Sequence, residues 1–341
     1  RVKWNLNPGN GSVSRICHEP RVALAVIQDW IAPYLSSGQL IVLTHHRLIG
    51  TEFNGNRVQS VEMLSSRTGY QRTIEAPIFL DATELGDLLP LTKTEYITGA
   101  EARKQTGELH ASETLRPDNH QAFTMCFAMD YVKGENHLIK KPRRYDFWRS
   151  FVPDLSPKWP GPLLDWRYTH PRSSESKRLG FNPSSGAYDG VINLWNYRRI
   201  LAQANFESGT FKSDISLVNW PQNDYFMGSI IDVSQEDFVK HVDAAKQLSL
   251  SLFHWMQTEA PRHDGGQGYP GLRLRSDVMG TEDGLAMYPY VRESRRIQAE
   301  YTVTEGDCGL EQRMASTGLH KKMVRSVSYG DSVGVGSYPI D

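Results

Sequence analysis

The string from Ile78 to Asp87 reads I-F-L-D-A-T-E-L-G-D and carries the residue types best suited to contact a ligand. An apolar run, predicted as a buried strand, ends here in small residues, and ligands of open α/β sheets bind at the carboxyl ends of strands. Small side chains let the backbone approach a bound dinucleotide, and the start of a following helix offers free N–H groups to phosphate. An ordinary strand-to-helix turn capped by Asp81 explains the same residues equally well, so both interpretations stay open.

A second string, Arg292-Glu293-Ser294-Arg295-Arg296, concentrates positive charge. Arginine is always charged and binds a carboxylate, a phosphate or a negative charge that develops during a reaction. If the segment is helical, Arg292, Arg295 and Arg296 share one face, and these three are the candidate catalytic residues. The alternative is a solvated or ion-paired helix face, with Glu293 and Glu300 as partners.

The elements around the first string are predicted from hydrophobic periodicity. Apolar residues recur on one helical face between Pro20 and Ser37. The apolar run Gln39–Thr44 then predicts a parallel strand covered on both faces. Three segments follow that predict a small antiparallel meander, with an Asn-Gly hairpin signal after the first; they are residues 47–53, 57–64 and 71–76. Residues 77–81 predict a second buried strand.

The rest of the chain predicts a second domain with long loops. One long helix is clear in it, because Ser234 can cap its start and an apolar stripe runs from Phe238 to Trp255. With 341 residues, two domains are the starting expectation, since single cores stop growing near ~250–300 residues.

Composition excludes several classes of protein. Lys plus Arg number 38 against 39 Asp plus Glu, without a basic block, so we expect a small-molecule substrate and no nucleic acid partner. No apolar run approaches the ~20 residues that cross a bilayer. The three cysteines are far apart, and the eleven histidines form no H-E-x-x-H pattern, so we expect no metal site.

The string at residues 81–87 resembles the D-A-T-x-x-G-D segment of a bacterial family of FAD-dependent oxidoreductases with a glutathione-reductase-like FAD domain. Helix, strand, meander and strand precede that segment in such domains, in the order predicted above. Further strings that resemble the family span most of the chain. They include Asn7–Gly11 with Cys17–Pro20, Pro117–Thr124, Val218–Tyr225, Thr258–Pro261, Gly280–Gly284, Arg292–Arg296 and Thr302–Glu305.

The resemblance implies FAD as the cofactor and a set of residues on its side of the site. Asp81, Ala82 and Thr83 match the family segment, and Gly86 and Asp87 complete it. Many relatives with this fold have Gly after the Thr, whereas this chain has Glu84, which puts a close backbone contact to ribose in doubt. Leu48, at the start of the meander, matches the position whose backbone meets adenine.

The resemblance also implies a fold class and domain organisation. We expect an α/β protein in which residues 1–92 form the second half of a Rossmann-like FAD-binding domain with its β-meander. Residues 93–270 would form an α+β substrate domain, and residues 271–341 would return toward the FAD domain. The implied activity passes a hydride or electron pair between an organic small molecule and FAD.

One family feature has no counterpart in this chain. No G-x-G-x-x-G stands between a predicted strand and a predicted helix. The chain therefore reads as an internal fragment, lacking the glycine-rich segment upstream and a closing segment downstream, and we expect it to bind FAD weakly or not at all by itself. The expected location is cytoplasmic, and the oligomeric state is not predicted.

The aromatic residues suggest a rival function. A set of tryptophans invites a non-catalytic protein that binds carbohydrates or other small molecules, although their spacing has no regular period and core packing explains most of them. They are Trp148, Trp159, Trp166, Trp195 and Trp220.

Overall fold

The computed structural model describes residues 7–171, 173–184 and 190–334. The chain divides into two compact units. Unit 1 comprises Arg1–Val42 and Ala122–Val291, and unit 2 comprises Leu43–Gln121 and Arg292–Asp341. These boundaries differ from the predicted cuts after residues 92 and 270.

The physical reason for one difference is a set of backbone bridges within unit 1. Thr124 pairs with Tyr290, and Phe127 pairs with Leu285, so the chain between residues 271 and 291 belongs with the strands it covers. Residues 292–341 share unit 2 with the string at residues 81–87.

Helices and strands alternate irregularly along the chain. The helices are α1 (Pro20–Ser36), α2 (Leu88–Thr92), α3 (Arg103–Thr106), α4 (Tyr145–Ser150), α5 (Leu194–Tyr197), α6 (Gln235–Thr258), α7 (Ser276–Met279), α8 (Glu305–Cys308) and α9 (Leu310–Thr317). The strands are β1 (His46–Asn54), β2 (Arg57–Ser65), β3 (Gln71–Glu75), β4 (Tyr96–Ile97), β5 (Phe123–Thr124), β6 (Phe127–Tyr131), β7 (Arg167–Thr169), β8 (Ser176–Arg178), β9 (Arg199–Leu201), β10 (Ile215–Val218), β11 (Asp224–Tyr225), β12 (Leu272–Leu274) and β13 (Arg296–Ile297).

Unit 1 is built on an antiparallel sheet with the order β12-β6-β10-β9. Helix α6 packs on it, where Phe253 meets Phe127 of β6 edge to face with ring centroids 5.6 Å apart. The predicted helix is confirmed: the Ser234 hydroxyl accepts the Asp237 amide at 3.0 Å and caps its start. Most of its predicted apolar stripe is buried, because hydrophobic burial is what holds a long amphipathic helix in place.

A buried carboxylate joins the strands of this sheet. Asp130 of β6 faces Arg273 of β12 in the strand register, and its side chain is only 1% exposed. Its Oδ2 lies 2.6 Å from Arg273 Nη2 and 3.1 Å from Arg275 Nη1. Two cations around one carboxylate compensate its loss of hydration, and removal of the carboxylate alone leaves them without their shared partner.

The first helix is also confirmed, but its apolar face is not buried. Helix α1 runs Pro20–Ser36, with proline in its first turn and no buried residue. Trp30, on the predicted apolar face, is 72% exposed. The periodicity therefore identified the helix correctly, while the packing implied by it is absent from the part of the chain that the structure describes.

Unit 2 contains the predicted meander, in which β1, β2 and β3 pair antiparallel in sequence order. The first turn closes with Asn54 opposite Arg57, and Gly55 has a φ of 60°, which glycine adopts without strain. Strands β4 and β13 form a separate antiparallel pair in the same unit.

The two predicted parallel strands, residues 39–44 and 77–81, are wrong as strands. Both segments are irregular, and Ile41 and Leu80 are 78% and 88% exposed. A strand persists only where a neighbour takes up its backbone hydrogen bonds, and among residues 7–171, 173–184 and 190–334 no ladder includes either segment. The mixed helix and strand content is consistent with the α/β class, and the Rossmann-like arrangement stays a prediction.

Glu305, the first residue of α8, ties the loop around His110 to the helix. Its Oε2 accepts the backbone N–H of His110 at 3.0 Å, and its Oε1 meets the ring Nδ1. The other ring nitrogen lies 3.1 Å from Glu311 Oε2. The hydrogen bond to Glu305 and its charge, with Glu311 adding to them, raise the pKa of His110.

We expect Asp130→Ala to lower the free energy of unfolding by about 1.5–3 kcal/mol, because Arg273 and Arg275 lose their charge-assisted hydrogen bonds to it while Arg275 keeps its pair with Asp277. Urea unfolding measures the change. Asp146→Ala is the matched control, since that carboxylate is 83% exposed in its pair with Lys141 and its loss costs less than about 1 kcal/mol. A loss for Asp130→Ala as small as for the control would contradict this assignment.

The raised pKa of His110 makes a second prediction. The protonated ring contributes stability that is fully present below its unfolded pKa of about 6.5 and is lost as pH rises through the higher folded pKa. The melting temperature of the wild type, relative to His110→Gln, should therefore fall as the pH rises above about 6.5. His320→Gln serves as control, and a difference between wild type and His110→Gln that does not vary with pH would refute the prediction.

Candidate functional site

The residues predicted to form the site all lie in unit 2. Residues 81–87 form a compact loop that leads into α2. The carboxylate of Asp81 accepts most of the side-chain hydrogen bonds that hold this loop in shape. Asp81 Oδ1 accepts the Thr83 backbone N–H at 2.9 Å and the Thr83 hydroxyl at 2.7 Å, and Oδ2 accepts the Leu88 N–H at 3.0 Å. The Thr83 hydroxyl in turn accepts the Asp87 N–H at 2.7 Å. Asp81 and Thr83 thus shape the loop with their side chains.

Asp81 is held ionised by this arrangement. Partial burial acts to raise its pKa, but the hydrogen bonds from Thr83 and Leu88, together with the positive charge of Arg295, outweigh burial and lower it. A carboxylate that accepts several N–H and O–H bonds is stabilised in its charged form. The capping interpretation of Asp81 therefore holds for its side chain, which accepts hydrogen bonds from the loop itself and from the first residue of α2.

Arg295 clamps the other end of the loop. Its Nη1 donates to the carbonyl oxygen of Leu85 at 2.8 Å and lies 3.4 Å from Asp87 Oδ1. The guanidinium carbon also lies 5.8 Å from the ring centroid of Tyr96, and the side chain is only 10% exposed. The loop is therefore fixed from within by Asp81 and from outside by Arg295.

The loop requires glycine at position 86, where its backbone packs against Arg295. Its φ is 66°, in the left-handed region that disfavours side chains. A Cβ at this position would also lie 3.3 Å from the Arg295 carbonyl oxygen and 3.3 Å from Leu89 Cδ1. Glycine thus meets a conformational and a packing requirement together.

Four backbone N–H groups of the loop, those of Asp81, Ala82, Glu84 and Leu85, have no acceptor within the described residues. Leu85 itself is buried. Ala82 and Glu84 are exposed, and Glu84 makes no ion pair in the same part of the chain. Successive free amides in a turn attract anionic oxygens, whereas the Glu84 carboxylate repels them.

The arginine segment is not helical, which corrects the expected helix face. Residues 292–295 are irregular and β13 begins at Arg296, where the pairing of β13 with β4 takes precedence over any helical tendency. Arg296 Nη2 donates to the Gly99 carbonyl at 2.6 Å and to Glu101 Oε2 at 2.7 Å. Arg292 is half-buried at a bend. The bonds of Arg295 reach the loop at residues 81–87.

Leu48 lies in β1, opposite Met63 of β2. Strand β1 is at an edge of its sheet, so one side of its backbone lacks a ladder within that sheet. Helix α2, which follows the loop, packs against β1. The structure therefore brings the strand with Leu48 and the loop with Asp81, Ala82, Thr83, Glu84, Gly86 and Asp87 into one region of unit 2.

Sequence reasoning missed Tyr96, Leu85 and Glu101, which hold the arginines in place. Their partners lie about two hundred positions away along the chain, as the separation of 210 between Arg295 and Leu85 illustrates. No local sequence pattern can predict a contact between residues so far apart in the chain. The family-like strings were the one sequence signal that linked these distant segments.

Other candidates contribute less to a site. Residues 266–271 do spell G-x-G-x-x-G, but they lie between α6 and β12, the reverse of the strand-to-helix order that binds phosphate. The five tryptophans of the rival function are at most 9% exposed, so they pack the core and do not offer open faces for stacking on sugars. In the described part of the chain no group of His, Cys, Asp or Glu is placed to hold a metal ion.

Membrane insertion of a helix is not indicated. Of the helices that the structure describes, none combines the length and the apolar character needed to span a bilayer.

Comparison with known proteins gives a match to a family model. No curated protein and no solved structure matches this chain. The FAD dependent oxidoreductase family model matches it over residues 1–341, which agrees with the D-A-T-x-x-G-D resemblance of the loop. Members of this family depend on FAD. The chain therefore belongs to the FAD-dependent oxidoreductase family.

Proposed function

We propose that the protein passes a hydride or electron pair between an organic small-molecule substrate and FAD. The observation that carries the proposal is the preorganised loop at residues 81–87, in a chain that belongs to an FAD-dependent family. FAD supplies the redox chemistry when bound, and the protein positions the substrate and excludes competing reactions. We also propose a cytoplasmic location.

The residues of the loop fit a polar part of this cofactor. The side-chain oxygens of Asp81 and Thr83 are committed to the loop itself. The amides of Ala82 and Glu84 face solvent and can donate to ribose or phosphate oxygens, and Leu48 offers backbone groups on an edge strand. We propose Leu48 and residues 81–84, with Gly86 and Asp87, as the cofactor-binding set.

The three arginines take different roles in this proposal. Arg295 is a positioning residue, because its guanidinium holds the carbonyl of Leu85 and the carboxylate of Asp87 and is itself largely buried. Arg292 and Arg296 are the proposed catalytic arginines, which would bind a substrate carboxylate or the negative charge on reduced flavin. The guanidinium of Arg296 also pairs with Glu101 at 2.7 Å, which partly neutralises its charge.

The decisive experiment is to express the protein from its complete coding sequence and to record its visible absorbance. A flavin spectrum that bleaches on anaerobic addition of a reductant is expected. A colourless protein that also fails to bind added FAD would favour the competing function, a non-catalytic binding protein.

Glu84→Gly should tighten FAD binding. The change removes a carboxylate beside the free amides and restores the residue that many relatives with this fold have there, and loss of one repulsive exposed charge corresponds to about a threefold lower dissociation constant. Fluorescence titration of the apoprotein with FAD measures the effect. Glu84→Gln separates charge from side-chain size, and Glu75→Gln on the exposed strand β3 is the control. Unchanged or weaker binding by Glu84→Gly would argue against this contact.

Arg295→Gln should raise the dissociation constant for FAD about tenfold, because the loop loses a charge-assisted hydrogen bond. Arg295→Lys keeps the positive charge but loses the paired donors of the guanidinium. Its dissociation constant for FAD should lie between those of the wild type and Arg295→Gln. The control is Arg103→Gln, an equal change of charge at an exposed arginine paired with Glu113. If both variants at position 295 bind FAD like the wild type while the folded fraction is unchanged, Arg295 does not position the site.

A further inference from the structure

A second candidate site lies in unit 1, in a cleft of about 350 Å³. Pockets of this size hold small metabolites. The half-buried ring of Tyr131 lines it, Trp195 borders it from the core, and four of its lining side chains are charged: Lys133, Lys212, Arg199 and Asp214. Three cations against one carboxylate favour an anionic occupant.

Two of the charged residues, Arg199 and Asp214, form an ion pair that lines the cleft. Arg199 Nη1 lies 2.6 Å from Asp214 Oδ2, and Arg199 Nε donates to the Gly9 carbonyl at 2.7 Å. Asp214 Oδ1 accepts the backbone N–H of Gln203, also at 2.7 Å. Because Arg199 and Asp214 satisfy each other and the nearby backbone, they shape the cleft and leave ligand charge to the two lysines.

The two lysines are poorly compensated by the protein. Lys133 is exposed and has no carboxylate within ion-pair distance in the described part of the chain. Lys212 lies 4.0 Å from Glu135 Oε1, but the other oxygen of Glu135 lies 2.6 Å from His137 Nε2. Two ammonium groups therefore face one small cleft, where a single anion would relieve their repulsion.

We propose that this cleft binds a small, hydrophilic organic anion, either a carboxylate or a phosphate monoester, between Lys133 and Lys212. Lysine ammonium groups act as point charges and donate hydrogen bonds to both kinds of anion, while the half-buried ring of Tyr131 gives the carbon skeleton of the ligand a surface to contact. The inference goes beyond the proposed function, because the site lies in unit 1 and its occupancy does not require FAD.

Calorimetric titration of the flavin-free protein with citrate and with glycerol 3-phosphate tests the proposal, and sodium chloride serves as the ionic-strength control. Saturable binding of at least one probe is expected, and the probe that binds more tightly identifies the class of anion. The double variant Lys133→Gln/Lys212→Gln should weaken that binding about tenfold or more.

The matched control is Lys177→Gln/Lys240→Gln, which removes two exposed lysines of unit 1 that do not line the cleft; its binding should equal that of the wild type. Binding of neither probe above the chloride control overturns the proposal, and so does equal binding by the two double variants. Because flavin is absent throughout, these outcomes are independent of whether the protein proves to be a flavoenzyme.

Discussion

The candidate site depends on one guanidinium. Arg295 reaches across most of the sequence to hold the Leu85 carbonyl, and its backbone carbonyl lies against Gly86. Inside the loop, the Asp81 carboxylate accepts hydrogen bonds from the backbone amides of Thr83 and Leu88. These contacts are charge-assisted, and such hydrogen bonds are roughly twice as strong as neutral ones. They determine which amides of the loop stay free, and those amides are what the loop can offer to a cofactor.

Unit 1 relies on a different principle. Its antiparallel sheet is covered by α6 through closely packed aromatic rings, and Asp130 is compensated by Arg273 of β12 and by Arg275, which follows that strand. Close packing makes such a core intolerant of small changes in volume. The cleft with Lys133 and Lys212 is formed at the margin of this scaffold, where the chain can place charges without removing them from water.

Short-range features could be predicted from the sequence. Helix α1, helix α6 with its Ser234 cap and the three-stranded meander follow from periodicity and turn chemistry, which act over a few residues. The same reasoning located the loop at residues 81–87, and the family resemblance identified FAD.

Long-range features could not be predicted. The runs at residues 39–44 and 77–81 have the composition of buried strands, but a strand exists only with partners, and the described residues supply none to them. The arginine segment fits a helix by spacing, yet pairing with β4 makes Arg296 part of a strand. The contact of Arg295 with Leu85 spans 210 positions, so no local pattern could indicate it.

The contact of Gly86 with Arg295 has a consequence for how this sequence can vary. A side chain at position 86 meets a left-handed backbone and a carbonyl oxygen at 3.3 Å. A substitution there must therefore displace its neighbours by a few tenths of an ångström, and one of them is the backbone of the residue whose guanidinium holds the Leu85 carbonyl. The residue types tolerated at position 86 and the conformation at position 295 are therefore linked.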